Sequence, residues 1–283
     1  MSQNLVTNTS DITIPSISFI GGGNMASALI GGLQKQGFAM AQITVVELDA
    51  AKRQQLRDDF NVNTADQLMA ACKADLIVLA VKPQQLRDLA IFLGGQLQNQ
   101  LVVSIAAGVR SADLSRWLGG YNNIVRVMPN TPAQIGMGIS ALYAMAQVSA
   151  LQRAQASKLL EAVGKTLWLE DESQMDAVTA ISGSGPAYVF YLIEALQNAA
   201  VTLGLSAEQA KQLALHTFAG AGQLALQSAD DIVTLRNQVT SKGGTTEQGI
   251  LSLTQHDIYG VMLAAAQAAA ARSLSLADSL GQD

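Results

Sequence analysis

The chain has 283 residues, 49% hydrophobic and 14% charged, enough length and apolar content to bury one large core or two ordinary ones, which excludes a disordered chain. Its formal net charge of −5 supplies no basic footprint for nucleic acid, whose phosphates are held by clustered Lys and Arg, and leaves a small molecule as the default partner. The single cysteine, Cys72, excludes an internal disulfide and any site needing several thiolates, fits a reducing cytoplasm, and is read as a small buried apolar side chain.

The first fourteen residues, MSQNLVTNTSDITI, contain no Lys or Arg and no continuous apolar run, so they read as a loose polar leader and not as a signal peptide. From residue 17 to about 171, short β-branched runs alternate with helical stretches, the signature of βαβ units around a mainly parallel sheet. The runs lie at 16–21, 43–47, 76–81, 101–106, 124–128, 139–144 and 166–170, a set the size of a doubly wound Rossmann-type domain.

The first run opens directly into GGGNMA, residues 21–26, at the start of a helix. Gly21, Gly23 and Ala26 form a Gly-x-Gly-x-x-Ala pattern. Gly21 permits a tight turn, Gly23 lets the backbone approach a pyrophosphate, and Ala26 allows close helix–strand packing while the helix N-terminus faces the negative charge. With Gly22, Asn24 and Met25 between them, these six residues are the expected dinucleotide-binding turn.

At the end of the second run stands Glu47, followed by Asp49, where a carboxylate accepts hydrogen bonds from the adenosine ribose hydroxyls. A carboxylate there repels a 2′-phosphate and favours NADH, but Lys52 and Arg53 follow closely and can offset it, so NADPH and NADH both stay open. Three further run ends belong to the same ligand edge: AVKP (Ala80, Val81, Lys82, Pro83), SIAAG (ending Ala106, Ala107, Gly108) and MPNTP (with Pro129 and Pro132). Their small residues let a flat nicotinamide ring approach the backbone, and the prolines stiffen the loops.

After residue 171 no β-branched run appears and long Ala/Leu/Gln segments take over, which predicts an all-α second domain at 172–283 following a dinucleotide-binding domain at 1–171. Pro186 marks one helix start, and Ser206 with Gln209 and Thr245 with Gln248 read as capping boxes. About five helices are expected. The apolar stretch at 258–271 is shorter than the ~20 residues a membrane span needs and reads as a packed helix. So many apolar positions in one helical domain predict burial against a second copy, a homodimer at least.

Two Gly/Ser/Thr-rich turns feed helices in this half, at 180–196 and 239–250. The second is expected to leave the amides of Gly243, Gly244, Thr245 and Thr246 at a helix N-terminus, suited to a carboxylate or phosphate. With only His216 and His256 in the chain and no carboxylates at ligand spacing, no metal is expected. His216 reads as a packing or surface residue, Glu194 as either exposed or turned to a partner or site, and Trp117, Trp168 and Phe190 as core.

Taken together, GGGNMA, AVKP, SIAAG, RVMPNTP, SGSGPAYVF and SKGGTT occur in an order and spacing that resembles the pyrroline-5-carboxylate reductase family from near residue 17 almost to the C-terminus. The resemblance implies an N-terminal Rossmann domain, a C-terminal helical dimerisation domain, and reduction of (S)-1-pyrroline-5-carboxylate to L-proline with NADPH or NADH. It also implies that the turn from Ser241 through Gly243, Gly244 and Thr245 to Thr246 holds the substrate carboxylate, with Thr246 near the imine nitrogen and the site formed between subunits. Family members arrange dimers into larger rings, commonly pentamers of dimers, which make a decamer. Two positions depart from the family's common pattern: Lys242 stands where many relatives carry Pro, and Glu47 and Leu48 stand where many NADPH-preferring relatives carry a small polar or basic residue.

The implied chemistry needs no histidine, because a protonated cyclic imine is already electrophilic and the protein's task is positioning. A β-hydroxyacid dehydrogenase or imine reductase would share the plan, but such dehydrogenases place a catalytic Lys in the first helix of the second domain, and AYVFYLIEALQNAA has none. A non-catalytic dinucleotide sensor would have no use for a turn as developed as SKGGTT.

Overall fold

The structure is a computed structural model that describes residues 16–282. The leader expected at 1–14 lies outside the described residues. The described residues divide into two compact units, one formed by residues 16–183 with 269–282 and the other by Ser184–Ala268.

In the first unit the strands are β1 (Ile17–Ile20), β2 (Ile43–Val46), β3 (Asn63–Ala65), β4 (Leu76–Leu79), β5 (Leu101–Ser104), β6 (Ile124–Met128), β7 (Gly138–Ala144) and β8 (Gly164–Trp168). They make one sheet in the order β3-β2-β1-β4-β5-β6-β7-β8, parallel except for the β6–β7 pair. This is the doubly wound α/β arrangement expected from the sequence, with its switch point between β1 and β4. Strand β3 answers to no apolar run. Its residues, NTA, pair with β2 in the folded sheet and have little strand propensity of their own.

The helices of this unit are α1 (Asn24–Lys35), α2 (Ala50–Phe60), α3 (Pro83–Gly94), α4 (Ser111–Trp117) and α5 (Ala150–Glu161). Because successive strand side chains point to opposite faces, each continuous apolar run feeds two cores. Phe19, Val78 and Val103 pack with Leu29, Ile30 and Leu33 of α1 on one face. Ile20, Ile77, Leu79 and Val102 pack with Leu86 and Leu93 of α3 and Trp117 of α4 on the other. Each such side chain contributes about 1.5–3 kcal/mol when fully buried. Gly32 allows α1 to lie close to the end of α5, since a Cβ there would stand 2.3 Å from the Ala162 carbonyl oxygen.

A buried ion pair joins the sheet to the segment that follows it. Arg126 on β6 donates to Glu172 Oε1 at 2.8 Å, and the Ser111 amide opening α4 donates to the same oxygen at 2.7 Å. Glu172 thereby holds together β6, α4 and the turn leading to α6 (Met175–Val178), which continues as a π-helical turn, Thr179–Gly183.

The second unit contains α7 (Gly185–Thr202), α8 (Ala207–Gln227), α9 (Ile232–Gln238), α10 (Thr245–Gln255) and the start of α11 (Ile258–Gly281). Pro186 lies in the first turn of α7, and Ser206 with Gln209 forms a capping box with both halves made. The second expected box is not formed. The N-cap of α10 is Gly244, so Thr245 already lies inside the helix and no side chain caps it.

Helix α11 has 24 residues, longer than the 258–271 stretch read from the sequence, and by length and composition alone it could cross a membrane. Its later part contains the buried Ser273 and Ala277, with Ser273 donating to Asp176 Oδ1 at 2.6 Å and Asp278 paired with Arg110. Trp117 is buried and Trp168 is half-buried with its indole N–H on Ser157 Oγ, but Phe190, expected in the core, is 67% exposed. Helix α7 has no fully buried residue in the single chain, and Phe190 lies on its exposed side.

Replacing Glu172 with Ala leaves the buried Arg126 guanidinium without its partner. The expected loss is about 3 kcal/mol of unfolding free energy, read from urea denaturation, and no change in midpoint would contradict the role given to this pair.

Candidate active site

The loops after β1, β2 and β4 enclose a cleft of about 550 Å³. Its floor is the Gly21–Gly23 turn, and its walls include Glu47, Leu48, Lys52, Asp66, Ala80, Val81 and Lys82. The turn is pinned by Gly21 N–H donating to the Val46 carbonyl at 2.8 Å and Ala80 N–H donating to the Ile20 carbonyl at 2.8 Å.

Gly21 has φ +97°, and a Cβ there would lie 2.7 Å from the Ala80 carbonyl oxygen; at Gly22 it would lie 2.7 Å from Leu56 Cδ1. At Gly23, the N-cap of α1, nothing lies within 4 Å of that position. The first glycine is therefore demanded by the backbone itself, the second sits against the tip of Leu56, and the third leaves open space above an uncapped helix start with no acidic residue in its first turn. Backbone donors, a positive dipole end and open space fit a dinucleotide pyrophosphate.

The other expected cofactor residues divide by position. Ala26 is fully buried in the core beside β1, the packing role expected of it, and Met25 packs partly against the same core. Asn24 lines a separate recess with Ser27, Gly31 and Gln134. Pro83 is in the first turn of α3, with Lys82 as its N-cap. In the loop after β5, Ala106 is buried, Ala107 is exposed, and Gly108 has φ +74° with its missing Cβ within 3.5 Å of Leu276 Cβ, so α11 backs this loop.

Glu47 holds a more elaborate position than its place at a strand end predicts. Its Oε2 accepts from the Gly22 amide at 3.0 Å and its Oε1 from the Asp49 amide at 3.1 Å. Burial pushes the carboxyl up, but the amides of Asp49 and Gly22 and the nearby Lys52 cation outweigh that and hold it below the usual glutamate range. Asp49 is occupied as the N-cap of α2, accepting from Ala51 and Lys52 amides. Arg53 is turned back to the Glu47 and Leu48 carbonyls, at 2.7 and 2.8 Å, and lies 3.8 Å from Asp66. Asp66 was not anticipated, because it follows the strand that carries no sequence signal.

In the second unit the turn at 241–246 leads into α10. Gly243 has φ +74°, and its amide donates to Glu247 Oε2 at 2.7 Å. The Gly244 amide donates to the Ser241 carbonyl at 3.0 Å. Of the four amides expected at this helix start, two are therefore occupied within the chain, because the turn closes on itself and Glu247 folds back over it. Thr245 and Thr246, both exposed, keep first-turn amides with no capping side chain. Lys242, His216 and Glu194 are also exposed. Among the described residues no three His, Cys, Asp or Glu side chains gather as metal ligands.

Comparison with known proteins places the chain in context. Residues 172–276 match the model for pyrroline-5-carboxylate reductase dimerisation, and residues 16–108 match that for NADP oxidoreductase, coenzyme F420-dependent. The chain is 48% identical to the pyrroline-5-carboxylate reductase of Pseudomonas aeruginosa over 96% of this chain and 100% of that one. A solved pyrroline-5-carboxylate reductase from Coxiella burnetii superposes with TM-score 0.90 at 38% identity, covering 93% of this chain and 99% of the other. A pyrroline carboxylate reductase from Plasmodium falciparum, solved with NADP bound, gives 0.82 at 29% identity, covering 93% and 98%.

Two outcomes test this site. Gly21→Ala should cost about 1–3 kcal/mol of stability through its backbone strain and abolish saturable dinucleotide binding, read by thermal denaturation and titration calorimetry. Because folding lowers the Glu47 carboxyl, its contribution to stability is present above the ordinary glutamate value and lost as pH falls through the folded one. The stability gap between wild type and Glu47→Gln should hold at neutral pH and close in acid; a gap that widens in acid would contradict the assignment.

Proposed function

This chain belongs to the pyrroline-5-carboxylate reductase family, and from that premise we propose how its own residues carry the reaction. The reaction is reduction of (S)-1-pyrroline-5-carboxylate to L-proline with NAD(P)H, the last step of proline synthesis. The observation that supports the cofactor half is the Gly21–Gly23 turn at the uncapped start of α1 beside Glu47.

When bound, the reduced nicotinamide supplies a hydride to the imine carbon, and a proton on the ring nitrogen completes the amine. The chain's part is to hold and orient. The Gly21 and Gly22 amides are tied to Val46 and Glu47, so the open amides at the α1 start, from Gly23 onward, face the pyrophosphate, and Ala80, Val81 and Lys82 form the opposite wall. The loop at 106–108 and Pro129 leave small surfaces for two flat rings.

The substrate carboxylate is anchored at the α10 start by the Thr245 and Thr246 amides and the Ser241 hydroxyl, with the Gly243 amide joining once Glu247 yields it. Thr246 donates a hydrogen bond near the imine nitrogen. Both carboxylate anchoring and orientation act through geometry and not through a titrating base, which suits a chain with two histidines.

The protein is a homo-oligomer, and the finer reading is a homodimer built through α7 to α11, with dimers grouped into a decamer. Its support is that α7 through α10 bury only Ala210 and Ala214 within the chain, leaving Tyr191 73% and Leu203 86% exposed. On this reading a second subunit, and not a lipid bilayer, covers the apolar side of α11. A cytoplasmic location follows from the need for a reduced nicotinamide pool and agrees with a lone half-buried Cys72.

Oxidation of NADH and of NADPH, followed separately with pyrroline-5-carboxylate, should show rapid turnover. Thr246→Ala should lower kcat/KM by roughly 10²-fold while dinucleotide binding is kept. Folded protein that binds a dinucleotide but turns over neither would sink the reading. Sedimentation should give a dimer or a multiple of one.

A further inference from the structure

The adenosine end of the cleft carries more information than the family reaction requires. Four hydrogen-bonding groups meet there: the Gly22 amide, the Asp49 amide, the Glu47 carboxylate and the Arg53 guanidinium. A site for a 2′-phosphate would offer the two amides and the guanidinium to phosphate oxygens. Here both amides are spent, and one nitrogen of the guanidinium is drawn back onto the chain. Both amides point into Glu47, at 3.0 and 3.1 Å, and Arg53 is held on the Glu47 and Leu48 carbonyls at 2.7 and 2.8 Å. Asp49 is tied down as a helix cap, and Asp66 adds a further negative charge to the lining. Lys52 is the one cation left at this end among the described lining residues.

We propose that Glu47 acts as a built-in anion at the ribose 2′ position, making this enzyme selective for NADH over NADPH. An ionised carboxylate has about four acceptor positions on its two oxygens. Each oxygen of Glu47 uses one for an amide, and the remaining pair accept from the 2′- and 3′-hydroxyls of an unphosphorylated ribose. A 2′-phosphate meets the same carboxylate as a like charge, with the amides that could have compensated turned away from it. Leu48, 82% exposed at the lip of the cleft, provides an apolar surface for the adjoining adenine.

The selectivity rests on the dinucleotide cleft and is separable from the substrate reaction, so it is measured first with fragments that lack nicotinamide. The full chain is titrated calorimetrically with ADP-ribose and with 2′-phospho-ADP-ribose, and kcat/KM is then compared for NADH and NADPH. Wild type should favour the unphosphorylated member of each pair by at least ~30-fold, equivalent to about 2 kcal/mol. That preference should shrink as salt is raised. Glu47→Gln, which keeps an acceptor for the Gly22 amide but removes the charge, should bring the ratio near unity chiefly by improving binding of the phosphorylated fragment. Equal binding of the two fragments by wild type would overturn the proposal whether or not the variant folds, as would a folded Glu47→Gln protein that keeps the full preference. Failure of turnover with an intact fragment preference would count against the reaction and leave the selectivity standing.

Discussion

The close passage of the β1–α1 turn over the end of β4 is the constraint on which the cofactor site depends. Only a residue without Cβ can sit at φ +97° with the Ala80 carbonyl less than 3 Å from where a side chain would begin. That passage fixes the direction of α1, brings its unsatisfied amides to the carboxyl edge of the sheet, and sets the gap between the β1 and β4 loops in which a dinucleotide can lie. The switch point of the strand order falls at the same place, so the sheet opens there without any residue being removed.

Around that turn, charge is arranged by economy of donors. Glu47, Asp49, Arg53 and Asp66 are each held by backbone groups or by one another, which makes this end of the cleft a preorganised surface and not a loose collection of side chains. The same principle governs the α10 start, where Glu247 occupies an amide of its own turn. In both places a carboxylate of the chain takes up backbone amides of a turn: Glu47 those of Gly22 and Asp49, and Glu247 that of Gly243.

The helical unit presents the opposite situation. Its helices α8 and α9 carry side-chain caps and α7 and α10 do not, and throughout the unit large apolar side chains remain exposed in the single chain. Helix formation here is local, driven by Ala and Leu propensity and by caps such as Ser206, whereas the single chain leaves the apolar faces unburied.

By itself the sequence determined the elements whose physics is local. Seven of the strands are continuous apolar β-branched runs, and the helices of the second half follow from composition and spacing. The dinucleotide turn is legible because glycine is needed at fixed places between a strand and a helix. The sequence also placed Glu47 at a strand end, but not its grip on two amides separated from each other by 27 positions along the chain in residue number, Gly22 and Asp49. Tertiary structure alone decided β3, whose residues become a strand only because β2 offers an edge, and with it the arrival of Asp66 in the cleft. It moved the helix start at Gly244 one residue earlier than a capping box at Thr245 would require, because Gly243 can take a positive φ and close the turn. It also left Phe190 on the surface, since apolar character in a sequence does not say which face of a helix packs against its neighbours.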